Sequence, residues 1–246
     1  MLNSPGRNYV CWQGRDLLFI ILGTIGVTLL LGSILTFLIE QLNLFPSLAP
    51  YKPIIINLLQ FIAILVTSLL VLAKYDLSLQ VLGFRAISFK KAMLWGVFGG
   101  TFVCLLVLAG NVFLQRIVES WWGLEIPSQP IIEQLLSSED STIFVFYAFL
   151  IVVVAPIVEE IFFRGILYQY CKKKLGFKKG ALLAAFIFAI AHFNLWTFLA
   201  TFLGGLSLII LYEFGKSMYI AIIAHATWNS IMIIIVYFIW RNKLLI

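Results

Sequence analysis

Charge is what this sequence has least of. Only 11% of its 246 residues are charged, against 62% that are hydrophobic, and the mean hydropathy is +1.05. Soluble domains carry about 25% charged residues, so the composition excludes an ordinary soluble domain and indicates an integral membrane protein. Cysteine is scarce too. Cys11, Cys104 and Cys171 are odd in number and scattered, which excludes a disulfide framework and a C-x-x-C ligand pair. There is no G-x-S-x-G, no obvious Ser or Cys nucleophile motif beside a histidine, and no H-E-x-x-H. No internal repeat or low-complexity segment stands out. The net charge of +6 does not call for a nucleic acid. In a membrane protein it reflects cytoplasmic lysines and arginines facing anionic lipid.

What is present is a series of long apolar runs, each near the roughly 20 residues that a membrane helix needs. The first, Leu17 to Ile39, is too long for a signal-peptide core and lacks an A-x-A exit, so it reads as a retained helix. The second runs from Pro53 to Ala73, with the proline in the first turn. The third, Ala92 to Leu114, carries Gly96, Gly99, Gly100 and Gly110, small residues that let membrane helices approach closely. The fourth starts near Ser141 and continues towards Tyr170. Ala181 to Phe193, Trp196 to Leu211 and Met218 to Trp240 complete the set. The expectation is an all-α, polytopic transmembrane bundle of about seven helices, six to eight, with the fifth too short to span untilted. It forms one structural domain, with N-terminal helices and a polar loop over 1–141 and the motif-bearing helices over 142–240.

Loop charges orient the bundle. Arg7, Arg15, Lys74, Arg85, Lys90, Lys91, Lys172, Lys173, Lys174, Lys178, Lys179 and Lys216 fall on one side, read as cytoplasmic. Lys52, Arg116, Arg241 and Lys243 fall on the other, together with the acidic Glu119, Glu125, Glu133, Glu139 and Asp140. Trp121 and Trp122 suit an interfacial belt on that side. The "PIIEQLL" within the polar loop reads as a short interfacial helix. The expected location is a bacterial plasma membrane. Nothing in the sequence indicates an oligomeric state.

Against this background, "IVEEIFFRG" stands out, because it puts Glu159 and Glu160 at the end of an uncharged stretch from Ile143 to Val158. Glu160 and Arg164 are four apart with the acid first, the better order for a helical ion pair. Glu159 lies about 100° round the helix and needs another partner. Snorkelling of both glutamates to the cytosol is the plainer alternative. The chain's two histidines weigh against it. His192 and His225 both lie in apolar helices, with Phe188 one turn before the first and Asn229 one turn after the second. Buried polar groups must find one another, so one cluster is expected, opening to water on the inner side. A carboxylate with an imidazole can hold and deprotonate a water, and a second imidazole with an amide can donate to a developing oxyanion. That chemistry is amide hydrolysis. A zinc site on Glu159, His192 and His225 is the rival.

The motifs "EEIFFR" at Glu159–Arg164, "FAIAH" at Phe188–His192 and "HATWN" at His225–Asn229 occur in this order. In them the chain resembles the CAAX protease and bacteriocin-processing family of intramembrane endopeptidases, over about Thr142 to Tyr237. The resemblance implies a glutamate-type endopeptidase acting on a membrane-associated protein or peptide. It implies Glu159 as general base, His192 helping to hold the water, and His225 and Asn229 on the oxyanion side. It implies Glu160 with Arg164 as a structural pair and Phe188 as packing for the site. No cofactor is expected, with the zinc-dependent version as one alternative and a non-proteolytic scaffold or transporter as another. The active site is expected towards the cytoplasmic side.

Overall fold

A bilayer core offers no water to backbone groups, so apolar runs satisfy their own hydrogen bonds by becoming helices. The computed structural model describes residues 10–124, 130–137 and 140–242. Arg7, Glu125, Glu139 and Lys243 lie outside them. Among the described residues all regular structure is helical. Helix α1 is Gly14–Thr36 and widens into a π-helical turn over Phe37–Gln41; α2 is Lys52–Lys74 and α3 is Phe89–Trp122. Helix α4, Pro130–Ser137, falls on the predicted interfacial helix. Next come α5, Ser141–Phe149, a π-helical segment Leu150–Val154, α6, Ala155–Glu160, and a second π-helical segment, Ile161–Tyr168. Helices α7, Gln169–Ile190, α8, Phe198–Gly215, and α9, Met218–Asn242, complete the chain.

Six stretches among the described residues are long and apolar enough to cross a membrane. The fourth, Ser141–Ile190, has 50 residues. At 1.5 Å per residue it would reach about 75 Å, more than twice a hydrocarbon core of about 30 Å. It does not run straight. Gly176 sits at φ 76° and ψ 176°, outside helical space, a conformation that glycine reaches without a Cβ penalty. The chain doubles back there: a Cβ on Gly180 would lie 2.7 Å from the Lys172 nitrogen. The second arm is the short fifth helix expected from the sequence, so the long stretch is two antiparallel arms. Because both arms start from the same tip, the end of α7 comes back level with the glutamates.

Helix α3 is longer than its apolar run because Arg116 and Glu119 continue it without a break to the exposed Trp121 and Trp122. It packs against α8 and α9, α1 packs on α2, and α7 on α8. Glycines set the closest approach. A Cβ on Gly100 would stand 2.3 Å from the Ala224 carbonyl oxygen of α9. At the lysine-rich end, Asp16 accepts from Lys74 Nζ at 2.6 Å and from the Tyr75 hydroxyl at 2.7 Å, tying α1 to α2. At the other end, Asp140 caps α5 by accepting from the Thr142 amide at 2.7 Å. That bond holds its carboxyl below the usual carboxylate range. The outer surface is apolar, with Phe98 69% and Leu29 65% exposed, as a surface solvated by lipid should be.

Candidate active site

The site is built around a proline. Pro156 has no N–H to give. In the π-helical segment before it, the Ala155 amide bonds the Leu150 carbonyl. The Ile151 carbonyl is left without a helical donor, since its π-spaced partner would be Pro156. Asn229 of α9 fills the gap: its Nδ2 donates to that oxygen at 2.7 Å. One side-chain bond thereby fixes α9 to the helix that carries the glutamates, two turns before them. One N–H of the Asn229 amide is committed to this contact, and the second remains.

The two glutamates have separate environments. Glu160 is fully buried, with Oε1 2.8 Å from Arg164 Nη1 and 2.8 Å from His225 Nδ1. Arg164 is 1% exposed, donates from Nη2 to the Gly205 carbonyl at 3.2 Å, and lies 4.4 Å from the centre of the Phe188 ring. The carbonyl comes within reach because residue 205 is glycine: a Cβ there would meet Phe188 at 2.8 Å. Glu159 instead lines a cavity of about 780 Å³, and its side chain keeps 16% exposure. Its Oε2 is 3.9 Å from His225 Nε2. His225 therefore stands between the two acids, one ring nitrogen towards each, and its ring stacks on Trp228 at 5.4 Å.

His192 follows the end of α7. Its Nδ1 is 2.8 Å from the Phe188 carbonyl. A carbonyl only accepts, so Nδ1 carries the proton and Nε2 of the neutral ring is an acceptor. Phe188 packs edge-on against both His192 and His225 and under Arg164. The fold thus brings together all seven residues singled out from the sequence. Glu159, His192, His225 and Asn229 line the cavity, and Glu160, Arg164 and Phe188 sit behind it.

The direction of the cavity differs from the sequence expectation, which had the cluster near the inner end of the fourth helix and open to the lysine-rich side. Sixteen residues separate Glu160 from the reversal at Gly176, so the acids lie deep along their helix. The lining runs the other way, to Lys52 and Pro53 at the start of α2, Ile132 and Leu135 of α4, and Val236 near the end of α9. That is the lysine-poor end.

Sequence reasoning passed over Trp228, which lies inside the third motif, and Asn111, a lone amide in an apolar run that also lines the cavity. It also passed over Asn194. The Asn194 side-chain oxygen accepts from the amides of Trp196 and Thr197 at 3.0 and 3.2 Å, an Asx-type turn that starts α8 just after His192. Among the described residues no three His, Cys, Asp or Glu side chains are grouped closely enough to share an ion.

These features define a polytopic helical membrane protein with a polar cluster buried within the bundle. Residues 141–231 match the family model described as type II CAAX prenyl endopeptidase Rce1-like, in agreement with the CAAX protease resemblance of the motifs. The matched stretch begins at α5, ends two residues past Asn229, and contains all three motifs; α1 to α4 lie outside it. The family is one of peptidases, so the match implies a hydrolase with a protein or peptide substrate. No curated protein and no solved structure matches the chain.

Proposed function

We propose that this protein is an intramembrane endopeptidase that cleaves a membrane-associated protein or peptide with a water activated by Glu159. The observation that carries the reading is the asymmetry of the acids. Glu160 is buried and held by Arg164 and His225, whereas Glu159 faces the cavity. The water sits between the Glu159 carboxylate and His192 Nε2, the ring nitrogen left as an acceptor. Glu159 removes a proton as the water oxygen attacks the scissile carbonyl, and returns it to the leaving amine. Negative charge on the carbonyl oxygen is met on the Nε2 side of His225 and by the second N–H of Asn229. A fixed donor in such a site contributes about 2.7–4 kcal/mol to the transition state.

The zinc-dependent version of the same enzyme is the alternative, with Glu159, His192 and His225, which line one cavity, as its ligands. By the positive-inside rule the lysine-rich end faces the cytoplasm of a bacterial plasma membrane. The cavity then meets its substrate from the opposite face, beneath α4. The test is a comparison of the membrane proteome with wild type and with Glu159→Ala. A precursor that accumulates only in the variant identifies activity and substrate together. No accumulating species would count against proteolysis. With substrate in hand, cleavage should survive exhaustive chelation. Zinc at about one per chain, with activity lost on removal and regained on return, would overturn the glutamate assignment.

A further inference from the structure

A second cavity lies at the lysine-rich end of the bundle. It holds about 540 Å³ and is walled by Arg85, Lys172, Lys173 and Lys216. Glu213 is the only carboxylate in its lining among the described residues. Lys172 Nζ is bound to Glu213 Oε1 at 2.5 Å, and the Tyr168 hydroxyl donates to the same oxygen at 2.9 Å. Lys173 Nζ donates to the Val10 carbonyl at 2.8 Å, and the lining as a whole sets four cationic side chains against one carboxylate around a single space. Lys216 forms no ion pair among the described residues.

Arg85, Lys173 and Lys216 are exposed at the rim, and the floor beneath them is fixed. Gln169, 5% exposed, donates to the Val81 carbonyl at 3.0 Å and to the Tyr212 hydroxyl at 2.9 Å. Tyr212, 7% exposed, donates in turn to the Leu82 carbonyl at 3.0 Å. Gly83 adopts φ 95°, and a Cβ there would meet Tyr212 at 2.8 Å. The Met218 amide at the start of α9 bonds the Gly83 carbonyl at 2.9 Å. The α2–α3 connection, α7, α8 and α9 are thus locked together around the cations. Two aromatic side chains lie next in sequence to this end: Phe214 is 80% exposed beside Glu213, and Tyr219 is 43% exposed in the first turn of α9. Exposed aromatics at a helix end are at home at the headgroup boundary.

We propose that this cavity is a phosphate-binding site, separate from the peptidase cluster. A surplus of cations in a preformed pocket between helix ends is what recognises a phosphate group. The headgroup of a phospholipid in the lysine-side leaflet presents that group, and so does free phosphate.

The test uses the full chain, delipidated in detergent, with phosphatidylglycerol, phosphatidylcholine and inorganic phosphate as probes. Lipid retention is read by native mass spectrometry and stability by thermal melting. The pocket variant is Arg85→Gln with Lys216→Gln. The control is Lys178→Gln with Lys179→Gln, exposed lysines on the hairpin outside the lining with the same change in charge. Wild type and control should retain phosphatidylglycerol over phosphatidylcholine, and the pocket variant should lose that preference by roughly tenfold or more. If inorganic phosphate stabilises wild type and control but not the pocket variant, with no lipid preference, the site takes free phosphate. Equal loss in both variants, or no response of wild type to any probe, overturns the proposal. Should the double variant melt abnormally, Lys216→Gln alone carries the same test, since that side chain is exposed.

Discussion

Removing the Arg164 guanidinium should unfold the protein more readily than removing any surface charge, and the loss should depend on Glu160. Arg164 is 1% exposed and has three contacts: Glu160 at 2.8 Å, the Gly205 carbonyl at 3.2 Å and the Phe188 ring at 4.4 Å. Arg164→Met keeps most of the volume and discards the charge. It leaves Glu160, fully buried, with His225 as its remaining partner among the described residues. Orphaning one member of a buried pair costs about 3–5 kcal/mol. The lost ring contact adds about 2 kcal/mol in a desolvated setting. Glu160→Gln keeps an acceptor oxygen for His225 Nδ1 and orphans Arg164 instead. With both changes no unpaired charge remains, so the double variant should be more stable than the sum of the singles predicts. A coupling of about 0.5–3 kcal/mol is expected for residues in one network. Chemical unfolding in detergent, followed by tryptophan fluorescence, measures all four corners of the cycle. Additive losses, or an Arg164→Met protein as stable as wild type, would refute the view that this pair holds the site together.

The helix contacts and the topology give further expectations. Gly100→Ala should force α3 away from α9 and cost about 1–3 kcal/mol, whereas Gly110→Ala, whose Cβ would find Leu203 at 3.4 Å, should be nearly neutral; equal melting temperatures for the two would deny that Gly100 sets the approach. In a background lacking the exposed Cys11, a membrane-impermeant thiol reagent added outside intact cells should label Glu133→Cys and spare Lys174→Cys. The reverse pattern would turn the bundle over and bring the cavity to the cytoplasm. Ile151 should also report on Asn229: Asn229→Ala removes the donor to a part-buried carbonyl and should lower stability by about 0.5–1.5 kcal/mol, and unchanged unfolding would show that the contact is dispensable.

The spans were legible because a bilayer demands long apolar runs: α2 was expected from Pro53 to Ala73 and is Lys52–Lys74. The reversal was legible as a basic loop, but one glycine with positive φ accomplishes it inside the helical stretch. The Glu160–Arg164 pair followed from i, i+4 spacing. The bond from Glu160 to His225 did not, because 65 residues separate them and nothing local encodes their meeting. The π-helical segments were also hidden: Pro156 was visible, but the carbonyl it strands has meaning only once α9 lies alongside. The direction of the cavity was not legible for a related reason. Lysines after the first motif suggest acids close to the lysine-rich boundary, whereas the helix continues well past them before it turns.

Hydrolysis by this site requires Glu159 to be the base. Glu159→Gln keeps the size and hydrogen bonding of the side chain and removes its ability to take a proton. Cleavage of the precursor by the purified variant should fall by about 10²–10⁴-fold, the usual contribution of general base catalysis, while insertion and thermal melting stay as in wild type. A Glu159→Gln protein that cleaves at near the wild-type rate, or a Glu160→Gln protein that folds normally and is the inactive one, would show that the roles of the two acids are reversed.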